Sequence, residues 1–507
     1  MSKGRRPVWL IGLDGVSFDI LQPMIDAGRL PTLTDFMTRG TAGILKSNVV
    51  PFTPQAWATV ITGANPGRHG VFGFVRQMPG RPPEFLSSKT MRGERLWTWF
   101  SRRGLKNLVI NVPLTYPPEP LNGIMITGMM TPSESSQFTY PSELKARMAR
   151  EWPGYRVDVR ASIDKSRNLA FLDELEGALA VSIDLMTTLV KEVDPDFFFP
   201  VFVMPDRIQH VFGHLIHPAS AAYDGATAKK WRSRIWDSYA KLDAAIGRLL
   251  DLAPPEANVL FISDHGFAME RGGFFTNDFL SGLGLLKLKT GGGHGTARLI
   301  VRKFNTPAIK RLVPNILVRK TIDLTKGAID WSKTAAYAAS AAQQGISINL
   351  LGREPEGTVS PADYDGVRDR IIEALASVSR ADTGEPAVKA CRREDIFYGP
   401  FLEAIPDIVL SFEESRLEAK DAVLGADAVT LSDGGSRAIH HRDGIFIACG
   451  PSIEPGPCEE LNLEDIAPTV LALAGIEAPV GLDGSVGGQV VQRARSVRVA
   501  RPDPRGT

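Results

Sequence analysis

Val8-Trp9-Leu10-Ile11-Gly12-Leu13-Asp14-Gly15 opens with six residues, apolar except for Gly12, and stops on an acid followed by a glycine. The run is as long as a strand and too short for a helix. It is apolar on both alternating faces, as in a parallel sheet covered by helices on either side. Similar runs recur at 108–112, 197–204, 259–263, 346–350, 407–410 and 444–448. Amphipathic stretches alternate with them. One covers 361–379, with Ser360 as N-cap, Pro361 near the first helical position, and Val367, Ile371, Leu375 and Val378 at helical spacing; another covers 169–192. The pattern predicts an α/β fold with a largely parallel central sheet and helices on both faces.

The residues just past these runs carry chemistry. Asp14 comes directly after the first run, Asp206 just after 197–204, and Asp264-His265 directly after 259–263. In an open α/β sheet, residues just past the carboxyl ends of strands line the binding crevice, so three strands can deliver acids to one place. Taken singly, each is also a familiar turn or cap residue. Asp206 and His210 are spaced i, i+4, which puts both on one face of a helical turn and suits chelation. His440-His441, followed by Arg442-Asp443 and the run 444–448, offers late imidazoles. Of the eight histidines, His69, His214, His217 and His294 read as structural or rim residues, with His217 a further candidate for the site.

One hydroxyl belongs with this set. In Phe52-Thr53-Pro54-Gln55-Ala56-Trp57-Ala58-Thr59-Val60-Ile61-Thr62-Gly63, Thr53 is predicted as an N-cap, Pro54 as the first helical residue and Gly63 as the stop. A hydroxyl at a helix N-terminus lies where unpaired backbone N–H groups favour a phosphate, which makes Thr53 a candidate nucleophile. Asp, neutral His and one hydroxyl suit Zn²⁺ or Mn²⁺. Six or seven such ligands exceed one tetrahedral ion. Two ions about 3.5–4 Å apart would clamp the attacking and leaving oxygens of an in-line phosphoryl displacement.

At 507 residues the chain can hold one large α/β core with insertions. The expected division is a core over 1–281, an insertion or cap over 282–333 that carries Gly291-Gly292-Gly293-His294-Gly295 and the basic stretch 302–326, a second part of the core over 334–491, and a basic tail over 492–507. Hydrophobic residues make up 43% and charged residues 23%, and 58 Lys plus Arg against 57 Asp plus Glu leave a net charge of +1. That balance predicts neither nucleic acid nor an anionic membrane as partner. Three cysteines are too few for a disulfide framework. No apolar stretch reaches signal-core or membrane-spanning length, so a soluble, cytoplasmic protein is expected.

With these motifs in order, the chain resembles the alkaline phosphatase superfamily and, within it, the type I phosphodiesterase and nucleotide pyrophosphatase group. The resemblance runs through Leu13-Asp14-Gly15, the Thr53 helix with Asn65-Pro66-Gly67-Arg68-His69-Gly70, the segment from Asp206 to His210, Ser263-Asp264-His265-Gly266, His441-Arg442, Asp465-Ile466-Ala467-Pro468-Thr469 and Gly481-Leu482-Asp483-Gly484. It implies one metal held by Asp206, His210 and His441, with His441 preferred over His440 because it directly precedes Arg442. It implies a second metal held by Asp14, Asp264, His265 and the Thr53 oxygen. Thr53 would be the nucleophile, passing through a phosphothreonine. One departure falls at Phe74, where many nucleotide pyrophosphatases carry an Asn that contacts a phosphate oxygen. Thr53-Pro54-Gln55-Ala56-Trp57 lacks the Cys/Ser-x-Pro-x-Arg setting of sulfatases, and no large insertion of the phosphoglycerate mutase kind comes after the nucleophile.

The resulting expectation is a metal-dependent phosphohydrolase, a phosphodiesterase or nucleotide pyrophosphatase acting on a small phosphate ester or diester with two divalent ions, Zn or Mn. A phosphomonoesterase or phosphotransferase on the same site is the alternative. A non-catalytic binding scaffold would have no reason to keep this many matching ligands.

Overall fold

Val8–Leu13 forms β1, and its two faces enter two different core layers. Trp9, Ile11 and Leu13 pack with Leu185 of the helix Ala170–Val193 and Leu242 of the helix Ala226–Leu250. Val8 and Leu10 pack on the opposite side with Trp57, Val60 and Ile61 of the helix Thr53–Thr62. Every β1 side chain is therefore removed from water, which is why the run carries no polar alternation. The computed structural model describes residues 6–76, 84–159, 169–289, 329–423, 427–432 and 437–487. Most of the expected cap, 290–328, and the expected tail, 492–507, lie outside the described residues.

Nine more strands join β1: β2 (Thr41–Lys46), β3 (Asn107–Ile110), β4 (Gly123–Ile126), β5 (Thr139–Tyr140), β6 (Phe197–Phe202), β7 (Asn258–Ile262), β8 (Asp443–Cys449), β9 (Gly456–Pro457) and β10 (Leu461–Asn462). The order is β9-β2-β8-β7-β1-β6-β3-β4-β5, with β10 also beside β2. β1 runs parallel to β6 and β7, and β3 runs parallel to β4 and β6. The register sets Leu13 opposite Phe202 and Gly12 opposite Ile262, so the carboxyl ends of β6, β1 and β7 finish abreast. The largely parallel α/β fold expected from the strand pattern is the one observed.

Three expectations are corrected. Strands do form near 346–350 and 407–410, as Gly345–Ile348 and Ile408–Ser411, but they belong to a separate antiparallel sheet with Ala336–Tyr337 and Lys389–Arg392. A short apolar run does not by itself say which sheet it joins. The run 197–204 stops as a strand at Phe202, because Met204 already begins the helix Met204–Ile216. Thr53 is not the N-cap of its helix. The Phe52 carbonyl already accepts from Ala56 N–H at 2.9 Å, so Phe52 holds the cap position and Thr53 is the first helical residue. The predicted stop stands: Gly63 is the C-cap with φ 60°, left-handed backbone that glycine adopts without strain.

β8 runs antiparallel to β7 and β2, pairing Phe446 with Ile262 and Cys449 with Val259. Its beginning therefore lies at the same sheet edge as the ends of β1, β6 and β7. That reversal lets residues just before a strand meet residues just after other strands. Among the described residues no helix is long and apolar enough to cross a membrane.

Candidate active site

Four segments converge on this edge. Asp14 leaves β1, Asp206 sits in the first turn of the helix after β6, Asp264 and His265 come just after β7, and His440 is the penultimate residue of the strand Ala438–His441 that leads into β8. Two glycines make the approach possible. A Cβ on Gly12 would lie 2.5 Å from the Trp57 ring and 2.8 Å from Val201. Gly15, at φ 70°, would place one 2.7 Å from the Phe267 ring and 3.2 Å from the Asp206 Cα.

The ligand-type atoms form two adjoining groups. In one, Asp206 Oδ1 lies 3.3 Å from His210 Nε2 and 3.6 Å from His440 Nε2, and the two Nε2 atoms are 3.1 Å apart. In the other, His265 Nε2 lies 3.1 Å from Thr53 Oγ1, 3.4 Å from Asp264 Oδ2 and 3.7 Å from Asp14 Oδ1. Atoms bound tetrahedrally to one ion at about 2.0–2.2 Å lie roughly 3.3–3.6 Å from each other, so both sets come close to the spacing of a coordination shell. His265 and His440 stack with ring centroids 3.7 Å apart, which makes the two groups neighbours.

The hydrogen bonds around these atoms are divided in a consistent way. Each carboxylate has one oxygen held by the protein: Asp14 Oδ2 by Trp57 Nε1 at 3.0 Å, Asp264 Oδ1 by Gly15 N–H at 3.2 Å, and Asp206 Oδ2 by Arg207 at 2.5 Å. Arg207 is fixed in turn by Asp158, which it meets with two nitrogens, each at 3.0 Å. The second oxygens, Asp14 Oδ1, Asp206 Oδ1 and Asp264 Oδ2, are buried and accept no hydrogen bond. Such atoms are costly to leave unpaired in a protein interior, and a cation is the group that fits three of them. The imidazoles match this division. His265 Nδ1 faces the Gly266 carbonyl at 3.1 Å and His440 Nδ1 faces the Pro51 carbonyl at 2.9 Å. A carbonyl only accepts, so each Nδ1 carries the proton and each Nε2 presents a lone pair.

Charge agrees with geometry. Burial, then repulsion from Asp206, raises the Asp14 carboxyl well above its ordinary range; burial, then Asp14, does the same to Asp264. Burial also acts to raise Asp206, but His210, His440 and Arg207 outweigh it and hold that carboxyl well below the ordinary range. Burial depresses His265 and His440, keeping both rings neutral and able to coordinate.

The structure thus places Asp14, Thr53, Asp206, His210, Asp264 and His265 in one cluster, with His440 rather than His441 beside Asp206. His441 lines the cleft but turns away from the ligand atoms, and its Nδ1 accepts from Asp443 N–H at 3.3 Å. It is His440 that turns its Nε2 to Asp206. Neighbours on a strand point to opposite faces, so only one of the two can face Asp206. If each group holds a cation, His440→Ala is expected to lose about one of two ions and at least about a hundredfold in turnover, while His441→Ala keeps its metal. Elemental analysis of both variants decides, and the reverse pattern would restore His441.

His217 joins neither group; its Nδ1 accepts from Ala219 N–H at 3.1 Å. His69 is structural. Its Nδ1 accepts from Val71 N–H at 3.1 Å, its Nε2 meets Thr59 Oγ1 at 3.0 Å, and burial pushes its pKa down to about 3. Sequence reasoning missed Trp57, Arg207 and Asp158. Trp57 had a usable signal, being four residues after Thr53 on the same helical face. Phe74 packs edge-to-face on Phe52 at 5.1 Å and lines the cleft above Thr53.

A family model described as type I phosphodiesterase / nucleotide pyrophosphatase matches residues 8–421, which takes in every residue of both groups except His440. No curated protein matches the chain. Two solved structures of phosphonoacetate hydrolase from Sinorhizobium meliloti 1021 are similar in fold, one in complex with phosphonoformate (TM-score 0.57) and one with phosphonoacetate (TM-score 0.58). Each is 17% identical and covers 93% of this chain and 96% of its own.

Proposed function

The chain belongs to the type I phosphodiesterase / nucleotide pyrophosphatase family and is a phosphoester hydrolase; from that premise we propose that it cleaves a small phosphodiester or pyrophosphate through Thr53, with two divalent cations. The observation that carries this reading is the buried, unpaired oxygen on each of Asp14, Asp206 and Asp264, facing bare Nε2 atoms at coordination-shell spacing. One cation would be held by Asp206, His210 and His440, the other by Asp14, Asp264, His265 and the Thr53 oxygen. Zn²⁺ is the first choice for this nitrogen and oxygen donor set, with Mn²⁺ second. Bound there, the cations would lower the pKa of the Thr53 hydroxyl and offset charge building on the transferring group.

The chain's own groups supply the rest. The helix Thr53–Thr62 starts at the cleft wall and carries the hydroxyl at its first residue, where a helix N-terminus favours an anion. Thr53 Oγ1 forms a bond to phosphorus as the bond to the leaving oxygen breaks. Water then attacks phosphorus, the Oγ1–P bond breaks, and the hydroxyl returns.

The test is a comparison of bis(4-nitrophenyl) phosphate with 4-nitrophenyl phosphate, using protein loaded with Zn²⁺, Mn²⁺ or Mg²⁺. The diester is expected to be favoured in kcat/KM by at least about tenfold. A preference for the monoester would replace this reading with a phosphomonoesterase on the same residues.

A further inference from the structure

Above Thr53 the cleft opens to a volume of about 460 Å³, room for a phosphate carrying an organic arm. Four arginines line it among the described residues: Arg207, Arg416, Arg437 and Arg442. Three are matched by acids. Arg207 is held by Asp158 and Asp206, Arg442 meets Glu413 at 3.1 Å, and Arg437 meets Glu418 at 2.8 Å. The same two glutamates also take lysines, Lys46 at 3.1 Å on Glu413 and Lys420 on Glu418. Arg416 stands between these glutamates in sequence and is partly buried in the cleft wall, yet its guanidinium has no hydrogen bond or ion pair among the described residues.

Its backbone is unusual as well. Arg416 sits at φ 54°, left-handed backbone that is unfavourable for a non-glycine residue. The conformation is held from both sides, by Arg416 N–H donating to the Phe412 carbonyl at 2.8 Å and Arg271 N–H donating to the Arg416 carbonyl at 2.9 Å. A strained position that presents an unmatched cation to a cleft is the kind kept for a ligand. Its charge also reaches the neighbouring rings: after burial, repulsion from Arg416 helps to depress His441 and His217.

We propose that Arg416 determines specificity by binding a second anionic group, a carboxylate or phosphate, on the substrate arm away from the phosphorus that Thr53 attacks. The proposal rests on the phosphohydrolase reading of the Thr53 site and goes further by naming the substrate class, a phosphoryl compound with an anionic arm. The planar guanidinium, with its free N–H groups, matches a planar carboxylate or a phosphate edge.

Two substrates with one leaving group test it: carboxymethyl 4-nitrophenyl phosphate and ethyl 4-nitrophenyl phosphate, on metal-loaded full-length chain. In Arg416→Gln, kcat/KM for the carboxymethyl diester is expected to fall at least about tenfold more than for the ethyl diester, with partial recovery in Arg416→Lys. Equal falls, or none, overturn the proposal. A second readout needs no turnover: protection from thermal unfolding by phosphonoacetate in excess of that by ethylphosphonate. The excess is expected in the wild type and absent in Arg416→Gln. No excess in the wild type, or one that survives in the variant, overturns the proposal. If neither diester is cleaved while the excess depends on Arg416, the phosphodiesterase reading fails and the anion site stands.

Discussion

Thr53→Ala is expected to reduce turnover of bis(4-nitrophenyl) phosphate by about four orders of magnitude or more, with metal content staying near two ions per chain. The combination is what identifies a nucleophile. In the proposed centre Thr53 would supply one oxygen beside six other donors, so the ions are expected to remain when it is removed. The fold is not expected to suffer, because the hydroxyl makes no capping bond and Phe52 holds the cap position. Thr53→Ser, which keeps the oxygen, separates attack from packing by retaining measurable turnover. Normal turnover in Thr53→Ala would end the assignment, and loss of both ions would make Thr53 a structural anchor of the centre.

Asp264→Asn is expected to act in opposite directions with and without metal. The substitution is isosteric: its Oδ1 still accepts Gly15 N–H, while an amide replaces the buried Oδ2 that faces His265 at 3.4 Å. The loaded variant should lose one ion, at least about a thousandfold in activity, and thermal stability. After chelation the order should invert, with the variant melting above the wild type, because one of three mutually repelling buried carboxylates is gone. In the chelated wild type, Asp14 and Asp264 titrate above their unfolded values. Their contribution to stability is present at low pH and is lost as pH rises through the raised pKa range. Bound metal acts with the reverse pH dependence, since it needs both carboxylates ionised. Elemental analysis and melting curves against pH check both halves. Unchanged metal content in Asp264→Asn would break the ligand map.

Most of the centre is legible in the sequence because of one rule about position. Acids placed directly after apolar runs mark the carboxyl ends of strands, and in a parallel sheet those ends lie together whatever their separation along the chain. Asp14, Asp206 and Asp264 obey that rule alone. His440 does not. It precedes β8, and a residue before a strand of the main sheet reaches the site only if that strand is reversed, which no apolar pattern reveals. Whether His440 or its neighbour faces the acids depends on pleat, which flips with a shift of one residue. The capping role given to Thr53 failed for a related reason: the Thr-Pro pair locates a helix start to within a residue, and that residue decides whether the hydroxyl is tied to the backbone. Arg207 and Asp158 carry no local signature. They matter because each is placed to hold something else.

The reversed strand also sets a schedule. β2, made within the first fifty residues, pairs among the described residues with β8, β9 and β10, all beyond residue 440. During synthesis β2 waits unpaired for most of the chain and the β7 edge waits from Ile262 to Asp443, while Pro51 waits 389 positions for the imidazole it orients. Long-range closure of this kind slows folding and leaves strand edges open to wrong partners. A ribosome-bound chain that stops short of Ala438 therefore holds all three carboxylates but lacks a finished sheet and the His440 ring, so the proposed cation centre is completed only once that strand and β8 are made.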